Sequence, residues 1–228
     1  MNEIVWYGHS AVKISAQQAH VLIDPFFTPA SGVDADTVGP VDSVLVTHDH
    51  ADHVGEALAV CQKHKAVLGA VVGTAEKLAQ NGGLPGAQIL NGIGFNIGGT
   101  VTHKGVTVTM TQAFHSSDSG VPVGYIVRMP DGLIVYHAGD TGIFSGMELL
   151  GRLYAIDVAL LPVGGVFTMD AGQAALACKL LGCKAVVPIH WGTFPVLAQD
   201  TGEFVQALKE VCRECRPMVL RAGSSVRL

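Results

Sequence analysis

The densest chemistry in the chain lies in one short segment, His48-Asp49-His50-Ala51-Asp52-His53. Three histidines and two aspartates fall within six residues. Imidazole is a ligand for zinc, iron and other borderline metals, and carboxylate widens that range. Imidazoles packed this closely would repel one another if protonated and would need partners if buried. A bound metal resolves both problems. The bland alternative is a solvated, histidine-rich surface loop. Against it, the segment directly follows an apolar strand expected at 43–47, and sites in α/β proteins gather where strands end.

Such residues need a scaffold, and composition says what kind. Of 228 residues, 49% are of the AVILMFWYC set and 14% are charged. Typical soluble domains carry roughly 25% charged residues. An apolar-rich, charge-poor chain is not disordered. A formal net charge of −5 excludes the basic footprint of a nucleic-acid binder. No apolar run approaches the roughly 18 residues of a membrane span. The start, MNEIVWYGHS, lacks the basic-then-apolar pattern of a signal peptide. The expectation is a cytoplasmic protein that acts on a small molecule, with no nucleic-acid or membrane partner. A charge-poor surface also fits homo-oligomer formation. One domain over 1–228 is expected, built from two β-α halves with a seam near 82–104.

The elements that would position the chemistry follow from periodicity and turn residues. Strands are expected at 4–7, 11–14 and 20–24, then a long loop over 25–40 and the buried strand at 43–47. Helices follow near 54–64 and 74–81, with Thr74 as N-cap. A second β-rich stretch covers 101–113, 121–129 and 132–138. Helices near 144–152, 170–181 and 202–213 alternate with strands at 156–161 and 184–189, and a last strand runs near 216–221. Asp170 and Gln173 have capping spacing, and Gly182 is a suitable stop. Cys212 and Cys215 have CxxC spacing, but the sequence shows neither a thioredoxin-like context nor a second ligand pair. They are read as reduced structural residues.

The segment at 48–53 resembles the HxHxDH signature of the metallo-β-lactamase superfamily, and the resemblance covers nearly the whole chain. That family supplies a further His, an Asp and a last His, each from a loop after a strand. Here Ala113-Phe114-His115-Ser116, Tyr136-His137-Ala138-Gly139-Asp140-Thr141 and Pro188-Ile189-His190-Trp191 stand in those places. The segments GHSA, LIDPFF, YHAGDTG, PVGGVFTMD and PIHWGTFPVL are similar to the small prokaryotic metal-dependent hydrolase branch related to ascorbate-6-phosphate lactonase. The resemblance implies an α/β (α+β) fold, a four-layer αββα sandwich. It implies His48, His50 and His115 on one metal, Asp52, His53 and His190 on a second, and Asp140 bridging them. Asp24 would order the motif loop. Two divalent ions are implied, zinc first, with manganese or iron as alternatives.

On that reading the chain is a hydrolase (EC 3 class). A hydroxide held between two metals would cleave an ester, lactone or phosphoester of a small anionic molecule. Asp52 would hold or move the proton. His9, in the turn Gly8-His9-Ser10, is either a buried partner of a ligand or a proton donor in catalysis. His137, three residues before Asp140, is expected to support a ligand. Phe167, Met169, Trp191 and Phe194 are the candidates for the substrate pocket wall. Gly164 and Gly165 serve either as a close approach to substrate or as an ordinary turn. Two other classes remain open on the residues: an iron-dependent oxidoreductase of the same fold, and a non-catalytic metal-binding module.

Overall fold

In the computed structural model, which describes residues 2–228, two sheets carry the chain. The first begins with β1 (Asn2–Gly8), β2 (Ala11–Ala16) and β3 (Ala19–Ile23), which pair as antiparallel neighbours. β4 (Ser43–Leu45) and β5 (Val67–Gly69) then join in parallel. Helices α1 (Ala51–Val54), α2 (Ala57–His64) and α3 (Val72–Gly82) belong to this half. The second sheet runs β6 (Thr100–His103), β7 (Val106–Gln112), β8 (Val123–Arg128) and β9 (Ile134–His137) as an antiparallel meander. β10 (Val158–Pro162), β11 (Ala185–Ile189) and β12 (Arg216–Pro217) extend it in parallel. Helices α4 (Gly146–Leu153), α5 (Ala171–Leu181) and α6 (Gly202–Val211) accompany this half. β13 (Ser224–Arg227) returns to the edge of the first sheet beside β1.

Period-two alternation sorts the strand residues into layers. On β10, Val158 and Leu160 face the other sheet, while Ala159 and Leu161 face the helices. On β3, Val21 and Ile23 face inward and Leu22 outward. The result is three apolar layers. One lies between the sheets, with Ile4, Ile14, Val108, Tyr125 and Val187. A second packs Met147, Cys178, Phe204 and Leu208 on the second sheet. The third packs Ala57, Val60, Ala75 and Leu78 on the first. This is the four-layer αββα sandwich expected from the sequence.

Several local expectations need correction. The stretch 101–113 is a hairpin, not one strand: Lys104 and Gly105 both take positive φ and turn the chain between β6 and β7. β5 was not anticipated, because three residues between two helices give no periodic signal. Thr74 lies inside α3, whose N-cap is Val71, and its hydroxyl donates to the Ser119 carbonyl at 2.7 Å. The last strand ends at Pro217, and β13 lies beyond the expected region. The Asp170 cap and the Gly182 stop are as expected: Asp170 Oδ1 accepts from the Gln173 amide at 2.8 Å, and Gly182 is left-handed.

Candidate metal centre

The parallel strands and their neighbours deliver chemistry at one rim. His48 to His53 follow β4, Asp140 follows β9, and His190 follows β11 directly. His115 comes from the loop after β7. The fold brings all seven sequence-predicted ligands together. His48, His50 and His115 each offer a nitrogen within 4.8 Å of the others. A second group joins Asp52, His53 and His190 on the same criterion and adds His9. Asp140 stands between the groups. Its Oδ2 lies 3.0 Å from His190 Nε2, 3.3 Å from His53 Nε2 and 3.6 Å from His115 Nε2.

The supporting hydrogen bonds fix which nitrogens face the centre. Asp24 is fully buried and can only accept when ionised. Its Oδ1 takes the Thr47 amide at 2.8 Å, and its Oδ2 takes the Thr47 hydroxyl at 2.7 Å and His53 Nδ1 at 2.8 Å. His53 Nδ1 therefore carries the proton and Nε2 is left for the centre. Because the Thr47 hydroxyl donates to Asp24, it accepts from His48 Nδ1 at 3.1 Å. That leaves the His48 Nε2 lone pair, which faces His50 Nδ1 at 2.9 Å. Such second partners orient metal ligands and set their tautomers.

Electrostatics favour a neutral His48 and an ionised Asp140; at His53 they favour a proton on Nε2, which a cation there would displace. Burial and the neighbouring His53 push His48 down to about 3, so its imidazole stays neutral, as a ligand must. Burial alone would raise Asp140, but His53 and His190 outweigh it and hold the carboxyl well below the ordinary range. Burial alone would lower His53, yet Asp140 and Asp24 raise it well above its usual value. His53 Nε2 and Asp140 Oδ1 are buried without hydrogen-bond partners among the described residues. Closely grouped imidazole nitrogens, unpartnered buried atoms and an all-nitrogen and oxygen donor set fit divalent cations. His48, His50 and His115 would hold one, Asp52, His53 and His190 another, and Asp140 both.

The structure redistributes the remaining candidates. His9 is fully buried, and its Nε2 meets Asp52 Oδ2 at 3.2 Å. It stands behind that carboxylate rather than on the cavity wall. His137 is also buried: Nε2 donates to the Ser10 carbonyl at 3.0 Å, and Nδ1 accepts from the Gly139 amide at 3.1 Å. It shapes the turn that presents Asp140. A cavity of about 330 Å³ is lined by His50, Asp52, His115, Ser116, Asp140, Phe167, His190 and Phe194. Met169 is not on that wall, because its side chain is buried in the layer beneath the helices. Trp191 is not either; it stacks on Trp6 with ring centroids 5.1 Å apart and lines a neighbouring cavity. Gly164 makes room for protein, not substrate: a Cβ there would sit 2.1 Å from the His190 carbonyl oxygen.

Two contributors escaped the sequence reading. Thr47, immediately before the motif, is the relay between Asp24 and His48. Asp49, inside the motif, ties down the loop after His115. Its carboxylate accepts from Ser117 Oγ at 2.8 Å, the Asp118 amide at 2.8 Å, Ser119 Oγ at 2.6 Å and Lys77 Nζ at 2.6 Å. Asp49's position between two ligands was the only signal available, and it did not reveal a partner 68 residues away.

Comparison with known proteins agrees with this geometry. Residues 19–191 match the model of the β-lactamase superfamily domain. A UPF0173 metal-dependent hydrolase of Nitratidesulfovibrio vulgaris is 58% identical over 227 residues, covering 99% of this chain and 95% of the relative. A UPF0173 metal-dependent hydrolase of Caldivirga maquilingensis is 43% identical over 231 residues, with 100% and 99% covered. Among solved structures, Igni18, a metallo hydrolase from the hyperthermophilic archaeon Ignicoccus hospitalis, superposes with a TM-score of 0.89 at 37% identity, covering 99% of this chain and 97% of that one. With the sandwich, the clustered ligands and these relatives in agreement, the chain belongs to the metallo-β-lactamase superfamily, in its UPF0173 metal-dependent hydrolase family.

Proposed function

We propose that the chain hydrolyses an ester, lactone or phosphoester of a small anionic molecule at a centre of two divalent cations, zinc first among them. The observation that carries this reading is Asp140 Oδ2, within 3.0–3.6 Å of imidazoles from both ligand groups. When bound, two such cations supply Lewis acidity and lower the pKa of a water between them. The chain's own residues do the rest. Asp52 is held well below the ordinary carboxylate range: burial opposes this, and the His9 hydrogen bond and His53 outweigh it. Asp52 therefore stays ionised, and with Oδ2 backed by His9 it is placed to pass a proton on rather than to keep one. Phe167 and Phe194, both exposed to solvent, give the cavity an apolar wall that accepts the body of the substrate. A volume of about 330 Å³ suits a small molecule, not a polymer.

The cytoplasm is the compartment this reading implies; all five cysteines are free, and no helix among the described residues is long and apolar enough to cross a membrane. The test is metal analysis of the purified protein, followed by a screen of carboxylic esters, lactones and phosphodiesters. Hydrolysis lost together with metal in His50→Ala and Asp140→Ala is expected. Activity surviving both changes contradicts the assignment. Iron content with substrate-dependent oxygen consumption would instead make the chain an oxidoreductase.

A further inference from the structure

A second cavity, of about 490 Å³, opens beside the metal centre and shares no lining residue with the metal cavity. His9 stands between the two: its Nε2 backs Asp52, and the residue also lines the second cavity. The segment after β11 completes the partition. His190 and Phe194 line the metal cavity, whereas Trp191 lines the other. There Trp191 stacks on Trp6 with the ring planes at 24°. Both indole N–H groups are committed to protein. Trp6 Nε1 donates to the His9 carbonyl at 2.9 Å, and Trp191 Nε1 donates to the Pro188 carbonyl at 3.0 Å. The pair is thus held in place and offers a ligand only apolar ring surface. Pro29, Ala30 and Ala222 add short apolar walls. No carboxylate lines the cavity, and Arg221 is its one permanently charged side chain. The turn that carries Arg221 is tied to Trp6, whose carbonyl accepts from the Gly223 amide at 2.7 Å. Arg221 is exposed and enters none of the ion pairs among the described residues.

We propose that this second cavity binds a flat aromatic ring carrying an anionic group, with the ring against the Trp6–Trp191 pair and the anion at the Arg221 guanidinium. Aromatic rings that stack gain more than their buried area alone supplies. The guanidinium is planar and always charged, and it pairs with a carboxylate through two parallel hydrogen bonds. A neutral ring would leave Arg221 unused. An anion without a ring would meet one exposed cation, which alone holds little. A ligand with both features uses both parts of the wall. The volume lies within the roughly 300–1,000 Å³ of small-molecule sites. None of the seven metal-ligand residues lines this cavity, so binding here does not require the metals.

The experiment titrates the full, zinc-loaded chain with 2-naphthoate, read by calorimetry and by the nitrogen–proton correlation spectrum. The chain has two tryptophans, Trp6 and Trp191, so both indole N–H signals of that spectrum report on this cavity. Both are expected to shift saturably with naphthoate. The alcohol 2-naphthylmethanol, the same ring without the charge, should bind about tenfold more weakly, the scale of one charge-assisted hydrogen bond. Cyclohexanecarboxylate, the charge without the flat ring, should leave the indole signals where they are. Arg221→Gln should abolish the preference for naphthoate over the alcohol and leave metal content unchanged. Equal affinity for the two naphthyl probes in the wild-type chain overturns the proposal. So does an absence of binding at millimolar naphthoate, and so does binding heat with both indole signals unmoved, which places the probe elsewhere. The comparison of probes needs only the wild-type chain, so it stays decisive even if the variant fails to fold.

Discussion

The two sheets furnish the same site by different means. The first sends four ligands in one segment, His48 to His53, anchored by its own neighbours Asp24 and Thr47. The second sends His115, Asp140 and His190 singly, after β7, β9 and β11. Each of those loops is held from across the sandwich instead: Asp49 on the loop after His115, the Ser10 carbonyl on His137, whose ring caps the turn before Asp140, and the His9 carbonyl on the His190 amide at 2.8 Å. A ligand segment can thus be anchored by a residue of its own sheet, but ligands dispersed over a sheet depend on the completed sandwich.

That contrast can be broken by substitution. Asp140→Ala removes the carboxylate that touches both ligand groups. Metal content should collapse, and hydrolysis should fall by at least about 10²–10³-fold, the scale of losing a preorganised electrostatic group. Metal analysis and turnover on the best screened substrate check this. Asp24→Asn strikes the first sheet's segment alone. A buried ion pair loses one charge, so unfolding should become easier by about 3–5 kcal/mol. Metal affinity should drop about 10–100-fold; denaturant titration and chelator competition read the two effects.

Asp49→Ala strikes the second sheet's side from within the first sheet's motif. Affinity should fall about tenfold, with faster amide exchange confined to 116–120. Unchanged exchange there would remove Asp49 from its assigned role. The smallest effect is expected at Tyr125, whose hydroxyl spans the sheets and donates to the Val46 carbonyl at 2.6 Å. Tyr125→Phe should cost about 1 kcal/mol. Burial raises Tyr125 well above its ordinary value near 10 and raises Tyr136 above it as well. Unfolded tyrosines release protons near 10. Stability is therefore present in full below about pH 10 and lost as pH rises above it, and the loss should be shallower in Tyr125→Phe.

What the sequence showed and hid follows the same division. His48 to His53 are legible because neighbours in sequence are neighbours in the site. His115, Asp140 and His190 became legible only through the family resemblance, since nothing local links residues 75 positions apart in one site. Strands β3, β4, β10 and β11 were visible as apolar runs, and α5 through its cap and stop. β5 and β13 were hidden because three- and four-residue strands are defined by their partners. Met169 and Trp191 were placed at the pocket because chain proximity to a ligand does not tell which face a side chain takes. Asp49 was missed for a related reason: its partners lie on other elements.

The most direct test of the shared centre is anomalous diffraction at the zinc edge from zinc-loaded crystals. Two peaks are expected, one within bonding distance of His48, His50 and His115 and the other of Asp52, His53 and His190, with Asp140 touching both. A single peak, or metal held without Asp140, would contradict a centre assembled jointly by the two sheets.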